Sequence, residues 1–225
     1  MQQPEFTTLS LTLADQIAEV RLNRPDKSNA INEAMWQEIR QAFAWIDATP
    51  EARVVILSGA GKNFCAGIDL AMLAGVQQRI AHADGARSRE ALRRLILDLQ
   101  DCLSSLERCA KPVIAAIQGA CVGGALDLVT CCDLRYASAD ATFSVKEIDI
   151  GMVADVGTLQ RLPRLIGEGQ ARELAYTGRT LNGQEAEKLG LANRLFATPA
   201  ELEAGVRQIA RSIAAKSPLA IRGTK

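Results

Sequence analysis

The run from Val113 to Cys132 limits what this chain can become more than any other segment. It is mostly Val, Ile, Ala, Leu and Cys, and it reaches the roughly 20 residues that a membrane-spanning helix needs. Yet Gln118, Gly119, Gly123, Gly124 and Asp127 interrupt it, and Asp133 follows at once. Clustered glycines disfavour one long helix, and an ionisable group in mid-span is costly in lipid. A buried strand, a glycine turn and a buried helix explain the run better. They predict a strand over Pro112–Ile117 and a helix over Gly123–Cys132. Asp127 then lies on an apolar helix about one turn beyond the Gly124 N–H. A carboxylate is seldom buried without a reason.

The same strand-turn-helix pattern precedes it. Val54–Leu57 reads as a buried strand ending in Ser58-Gly59-Ala60-Gly61, and Ala66–Leu70 as the start of a helix. Upstream, Thr7–Leu13 and Gln16–Leu22 alternate like paired strands. Asn23–Asn29 is a polar loop, and Asn32 caps a helix to Ala48 with Met35, Ile39, Phe43 and Ile46 on one face. Gln77–Arg89, which includes the sole histidine, His82, reads as a polar, mobile stretch over the site, and Ala91–Glu107 as an amphipathic helix. Leu134–Ala137 is a strand and Thr142–Ile148 an extended segment. Thr158–Ile166 (interrupted by Pro163), Gln170–Tyr176 and Gln184–Leu189 are helices. Arg194–Phe196 is a strand and Glu201–Lys216 a helix. The order is strand-strand-helix more often than strand-helix-strand. That predicts an α/β fold other than a simple doubly wound sheet.

Composition removes several functions. Lys plus Arg number 26, as do Asp plus Glu, so the chain has no net basic charge to hold nucleic acid without specificity. With one histidine there is no multi-histidine metal site, and no metal is expected. The six cysteines form no C-x-x-C pair and sit mostly among Ala, Val and Leu, where a thiol behaves as a small apolar group. They suggest a reducing environment. With no basic stretch followed by an apolar one at the N-terminus, the expectation is a cytoplasmic protein with no membrane partner.

Chemistry concentrates around the glycine turns Phe64–Asp69 and Gly119–Asp127. Neither matches the dinucleotide or Walker patterns. A helix N-terminus leaves N–H groups without partners, and two such groups converging on a carbonyl oxygen would form an oxyanion hole. Tight connection is the plainer explanation of either turn alone. Asp127, Glu147 and Asp155 add a set of acids. In an apolar pocket a carboxyl is held toward its neutral form, where it can exchange protons near neutral pH. Asp155 could instead cap the helix near Thr158, and Lys146 could pair with Glu147.

At these residues the sequence resembles the crotonase (enoyl-CoA hydratase/isomerase) superfamily over nearly its whole length. The likeness is carried by Asn23–Ala30, by Ala66-Gly67-Ile68-Asp69 and by Gly123-Gly124. Within the superfamily it is most similar to the dienoyl-CoA isomerase branch, through Asp127, Val145-Lys146-Glu147 and Ala154–Pro163. The hydratases usually carry Glu where Asp127 stands and a small residue where Asp155 stands. The resemblance implies a spiral of strand-strand-helix units, with a catalytic core over residues 1–200 and the start of a C-terminal helical region over 201–225. The rest of that region is missing or cut short. It also implies isomerisation of a 3,5-dienoyl-CoA to the 2,4-dienoyl-CoA in fatty-acid degradation, with Asp127, Glu147 and Asp155 catalytic. The N–H groups of Ala66 and Gly124 would form the oxyanion hole. Arg24, Lys27, Ala30, Ala66, Gly67, Ile68, Asp69, Leu70 and Gly124 would bind the acyl-CoA. No cofactor is implied, CoA being part of the substrate, and the implied assembly is a homotrimer or homohexamer. An enoyl-CoA hydratase is the alternative within the superfamily. A non-catalytic binding protein of the same fold is the alternative of another class.

Overall fold

In the computed structural model, which describes residues 2–225, the alternating N-terminal residues pair as an antiparallel hairpin of β1 (Leu9–Ala14) and β2 (Ile17–Leu22). Asn32 then stops the chain from remaining extended. Its side chain accepts the Met35 N–H at 3.0 Å and opens α1 (Glu33–Ala48), whose buried stripe includes Met35, Trp36, Ile39, Phe43 and Ile46. The remaining elements are β3 (Val54–Gly59), α2 (Leu70–Ile80), α3 (Gly85–Arg108), β4 (Val113–Ile117), β5 (Ala120–Val122), α4 (Gly124–Thr130), β6 (Leu134–Ser138) and β7 (Thr142–Ser144). A 3₁₀ turn (Glu147–Ile150) follows. After it come α5 (Thr158–Ile166), α6 (Glu168–Thr177), β8 (Leu181–Asn182), α7 (Gly183–Leu189), β9 (Arg194–Phe196), α8 (Pro199–Ala214) and α9 (Pro218–Thr224).

Two sheets result. The larger runs β1-β2-β3-β4-β6-β9 and is parallel from β2 onward; the smaller runs β5-β7-β8. Two passes of the chain give one strand to the large sheet and the next to the small one, β4 then β5 and β6 then β7. A helical segment then returns the chain. This is the strand-strand-helix spiral that the sequence suggests. The Val113–Cys132 run divides into β4, β5 and α4, and among the described residues no helix is long and apolar enough to cross a membrane.

Most of the core lies between the large sheet and the helices of the site. A second apolar layer forms on the sheet's other face, where Leu202, Val206, Ala210 and Ala214 of α8 cover Ile17, Val54, Ile56, Ile114 and Ala116. Helix α8 begins before residue 200, so the position dividing core from C-terminal region falls inside it. Three local expectations change. Most of Gln77–Arg89 is helical, α5 continues through Pro163, and the extended segment from Thr142 ends at Ser144 where the 3₁₀ turn reverses the chain.

Candidate active site

The site is assembled from two loops that stitch to each other. Ser28 and Asn29 take positive φ (48° and 55°), and Asn29 is fully buried. The Asn29 amide donates to the carbonyls of Ala60, Asn63 and Phe64 at 2.8, 2.9 and 3.1 Å, while its oxygen accepts the Arg24 N–H at 2.9 Å. The Ile31 N–H donates to Gly67 O (2.7 Å) and the Asp69 N–H to Ile31 O (3.0 Å). One polar side chain thus pins the 24–31 loop to the first glycine segment. Helix α2 begins only at Leu70, the last residue of the expected Ala66–Leu70 start, because Asp69 caps it through the Ala71 N–H at 3.0 Å.

The two glycine segments meet through positions that exclude a side chain. A Cβ on Gly67 (φ +89°) would stand 2.5 Å from Val122 O and 3.2 Å from Gly124 N. A Cβ on Gly123 (φ +54°) would stand 3.0 Å from Glu147 Oε1. The start of α4, the Gly67 segment and the Glu147 carboxylate therefore converge. The Gly124 N–H has no acceptor among the described residues, as its place at the first turn of a helix dictates. The expected second donor needs correction. The Ala66 N–H is already bonded to Ser28 O at 2.9 Å, whereas the Ile68 N–H has no acceptor among the described residues. Ile68 N lies 3.5 Å from where a Cβ on Gly124 would stand.

The acids fall into two groups. Glu147 and Asp155 line one cavity of about 320 Å³, with Ile68, Gly124 and the apolar side chains Trp36, Met72, Leu95, Leu99, Met152 and Val156. Glu147 Oε2 is buried with no hydrogen-bond partner. Burial raises the affinity of both carboxyls for a proton, and the charge of Asp155 raises Glu147 further. Lys146 does not pair with Glu147; its ammonium reaches Asp149 Oδ2 (2.8 Å) and Gly178 O (2.6 Å). Nor does Asp155 cap α5. Gly157 is the N-cap, and the first N–H of the helix is met from α4 by Asp127, whose Oδ1 accepts the Thr158 N–H at 2.5 Å. Asp127 is fully buried behind the cavity and is not part of its lining; its Oδ2 has no partner. Burial pushes its pKa up to about 7. The hydrogen bond from Thr158 opposes that rise, and the Glu147 charge reinforces it. Its place under the helix start makes it a support for the site rather than a wall of it.

The residues expected to hold CoA divide in the same way. Arg24 Nη1 lies 2.9 Å from Asp69 Oδ2 and 2.5 Å from Ala30 O. The guanidinium is therefore an internal strut between the two loops rather than a free anion ligand, and its hydrogen bond, helped by its charge, holds the Asp69 carboxyl below its usual range. Lys27 and Ala66 are exposed, Ala30 is half-buried and Leu70 is largely exposed. His82 is exposed in the α2–α3 link, where its Nδ1 accepts the Asp84 N–H at 3.1 Å; it does not line the cavity. All six thiols are buried, and among the described residues no three ligating side chains are grouped to hold a metal. A larger groove of about 440 Å³ between α8 and the main sheet contains none of the three acids. Two contributors had no distinct sequence signal, the Asn29 pin and Gln100 of α3, whose amide donates to Asp155 O at 2.5 Å.

Buried N–H donors facing unpaired carboxyls in an apolar cavity, on a strand-strand-helix spiral, define an enzyme that handles an activated carbonyl. The family model for enoyl-CoA hydratase/isomerase matches residues 12–225, and the chain belongs to that family. A peroxisomal Δ3,5-Δ2,4-dienoyl-CoA isomerase of Arabidopsis thaliana is 50% identical over 91% of this chain and 74% of its own length. The mitochondrial Δ3,5-Δ2,4-dienoyl-CoA isomerase of Homo sapiens is 44% identical over 98% of this chain and 68% of its own. Among solved structures, an enoyl-CoA hydratase/isomerase from Xanthobacter autotrophicus Py2 superposes with a TM-score of 0.88 at 31% identity, covering 98% of this chain and 78% of that one. These relatives overturn the cytoplasmic expectation, since they are named for the peroxisome and the mitochondrion. Buried free thiols report apolar packing, not a compartment.

Proposed function

We propose that the protein is a dienoyl-CoA isomerase that moves the two double bonds of a 3,5-dienoyl-CoA into conjugation with the thioester. The substrate class is an acyl-CoA thioester. Its C2 protons are acidified by the carbonyl on one side and the diene on the other. In this reading the N–H groups of Gly124 and Ile68 hold the thioester oxygen and stabilise the charge that develops there. Ionised Glu147 takes a proton from C2, and the electron pair spreads along the dienolate. Protonated Asp155 gives a proton to C6, and the 2,4-dienoyl-CoA results. Glu147 then loses its proton to solvent and Asp155 regains one, so the cycle balances in protons and electrons with no metal or redox cofactor. Two neighbouring carboxyls that resist ionisation together favour one protonated and one ionised, the pair of states this reaction requires.

The observation that carries the reading is that Glu147 and Asp155 share one apolar cavity with the Gly124 turn while neither is paired to a cation. Exposed Lys27 is the better placed of the two loop cations to meet CoA phosphates, since Arg24 is held by Asp69. Assembly as a homotrimer or homohexamer belongs to the same proposal. The exposed apolar side chains Ile148, Ile150, Val153 and Tyr176 support it, and sedimentation of the purified protein tests it.

The deciding assay follows the long-wavelength absorbance of the conjugated thioester with 3,5-octadienoyl-CoA as substrate, with Glu147→Gln alongside. Absorbance should rise with the native protein and be lost in the folded variant. Formation of a 3-hydroxyacyl-CoA from a 2-enoyl-CoA, without isomerisation, would replace this reading with hydration.

A further inference from the structure

The carboxyl of Asp155 makes no hydrogen bond or ion pair to another side chain among the described residues, so its place in the cavity follows the backbone that carries it. That backbone is held at three nearly consecutive points from outside the loop. Gln100 Nε2 donates to Asp155 O at 2.5 Å, Arg161 Nη1 donates to Val156 O at 3.3 Å, and the Thr158 N–H donates to Asp127 Oδ1 at 2.5 Å. Gly157, between them, has φ +129°, and a Cβ there would run into the Arg161 guanidinium. Arg161 is fixed in turn, its Nε and Nη2 spanning Glu107 at 2.8 and 2.7 Å and its Nη2 reaching Ser104 Oγ at 3.1 Å. Gln100, Ser104 and Glu107 all lie on α3, the helix that also supplies Leu95 and Leu99 to the cavity wall. One rigid helix therefore sets both the wall along which an acyl chain would lie and the register of the acid against it.

We infer that Gln100 and Arg161 are positioning residues that fix the depth of the Asp155 carboxyl. In doing so they govern how the dienolate divides between protonation at C6 and return of a proton to C2. The inference rests on the proposed role of Asp155. Neither residue touches the reacting atoms; each acts through a backbone carbonyl of the Asp155 loop. A reacting group misplaced by about 1 Å costs on the order of 10²-fold in rate, so a loosened loop slows the C6 step while leaving the C2 step to Glu147.

The test is carried out in D₂O. Deuterium entering C2 of recovered 3,5-octadienoyl-CoA is compared with the 2,4-dienoyl-CoA formed, for the native protein and for Gln100→Leu, Arg161→Lys and Asp155→Asn. Gln100→Leu and Arg161→Lys should raise the exchange-to-product ratio roughly ten-fold or more. Their C2 exchange rate and KM should stay near the native values. A parallel loss of exchange and product in both variants, or an unchanged ratio, would reduce the network to scaffold and overturn the inference. Should Gln100→Leu fail to fold, Arg161→Lys decides alone, since it keeps the charge but loses the planar fork. Asp155→Asn separates the two levels. If it leaves the ratio native, the role of Asp155 has failed. If it raises the ratio while both positioning variants do not, only the positioning inference falls.

Discussion

Asp127 offers a prediction whose size can be worked out before any enzymology. Burial lifts its carboxyl from an ordinary 3.8 to about 7 despite the hydrogen bond from Thr158. The folded chain therefore holds this proton more tightly than the unfolded one. The stabilising contribution is fully present below pH 3.8 and is lost as the pH rises through about 7. At about 1.4 kcal/mol per pH unit, the interval of roughly three units corresponds to about 4 kcal/mol, of which about 3 kcal/mol falls above pH 5. Asp127→Asn cannot ionise. Its carbonyl can still accept the Thr158 N–H, and its amide replaces an oxygen that has no partner. Guanidinium unfolding of both proteins at pH 5 and pH 8 reads the difference. Between those values the native protein should lose about 3 kcal/mol more than Asp127→Asn. Glu147 and Asp155 are also raised by burial and act in the same direction, but both proteins retain them. Equal pH dependence in the two would refute the claim that burial raises the Asp127 carboxyl in the folded state.

The other expectations are quickly stated. Glu147→Gln should lower kcat by about 10²- to 10⁴-fold, the range for loss of a general base, without lowering the unfolding midpoint, since it removes a buried ionisable group; near-native turnover in the absorbance assay removes Glu147 from the chemistry. Gly67→Ala should lower kcat by about 10²-fold or more, as for a displaced oxyanion donor, because the new Cβ meets Val122 O and forces the Gly67 and Gly124 segments apart; activity within two-fold of native would contradict that close approach. Asn29→Ala leaves the Ala60, Asn63 and Phe64 carbonyls and the Arg24 N–H without their partner. At about 1–3 kcal/mol for each buried unsatisfied group, several kcal/mol should be lost in calorimetry, and a loss below about 1 kcal/mol would show that the pin is dispensable.

What could be read from the sequence followed from how local each signal is. The Asn32 cap, the strands of the large sheet and the two glycine turns each announce themselves within a few residues, and they form where expected. Strands β5, β7 and β8, at three, three and two residues, are too short to show a period, so the second sheet had no signature of its own. The site was legible as a set of residue types and illegible as a set of partners. Arg24 looked like an anion ligand until Asp69, 45 positions away, occupied it. Ala66 looked like a donor until the carbonyl of Ser28 did the same. Asp127, implied to be catalytic, meets the start of α5 while Asp155 lines the cavity, because which acid meets that helix depends on how α4 packs on α5, and no spacing within either segment records that.

The same limit explains why the eight-residue interval from Glu147 to Asp155 was the hardest to interpret and matters most to the proposed reaction. Continued as the extended segment that the sequence suggested, it would carry the two acids about 26 Å apart, too far to share a cavity of about 320 Å³. Instead the chain folds back. The Gly151 N–H donates to Ile148 O at 3.1 Å and the Met152 N–H to Glu147 O at 2.9 Å, with Gly151 at φ +71°. A left-handed residue is what permits that return, and glycine adopts it without a steric penalty. Met152 then lines the cavity and the chain runs along its wall to Asp155, where Gln100 holds it. The large sheet and its helices fix Glu147 and the Gly124 turn, an arrangement compatible with many reactions of a thioester enolate. The turn at Gly151 returns the chain so that Asp155 lines the same cavity as Glu147, where the proposed reaction calls for a second acid. In the proposed reaction the second acid is thus brought in by a short reversal that follows the sheet framework, not by the framework itself.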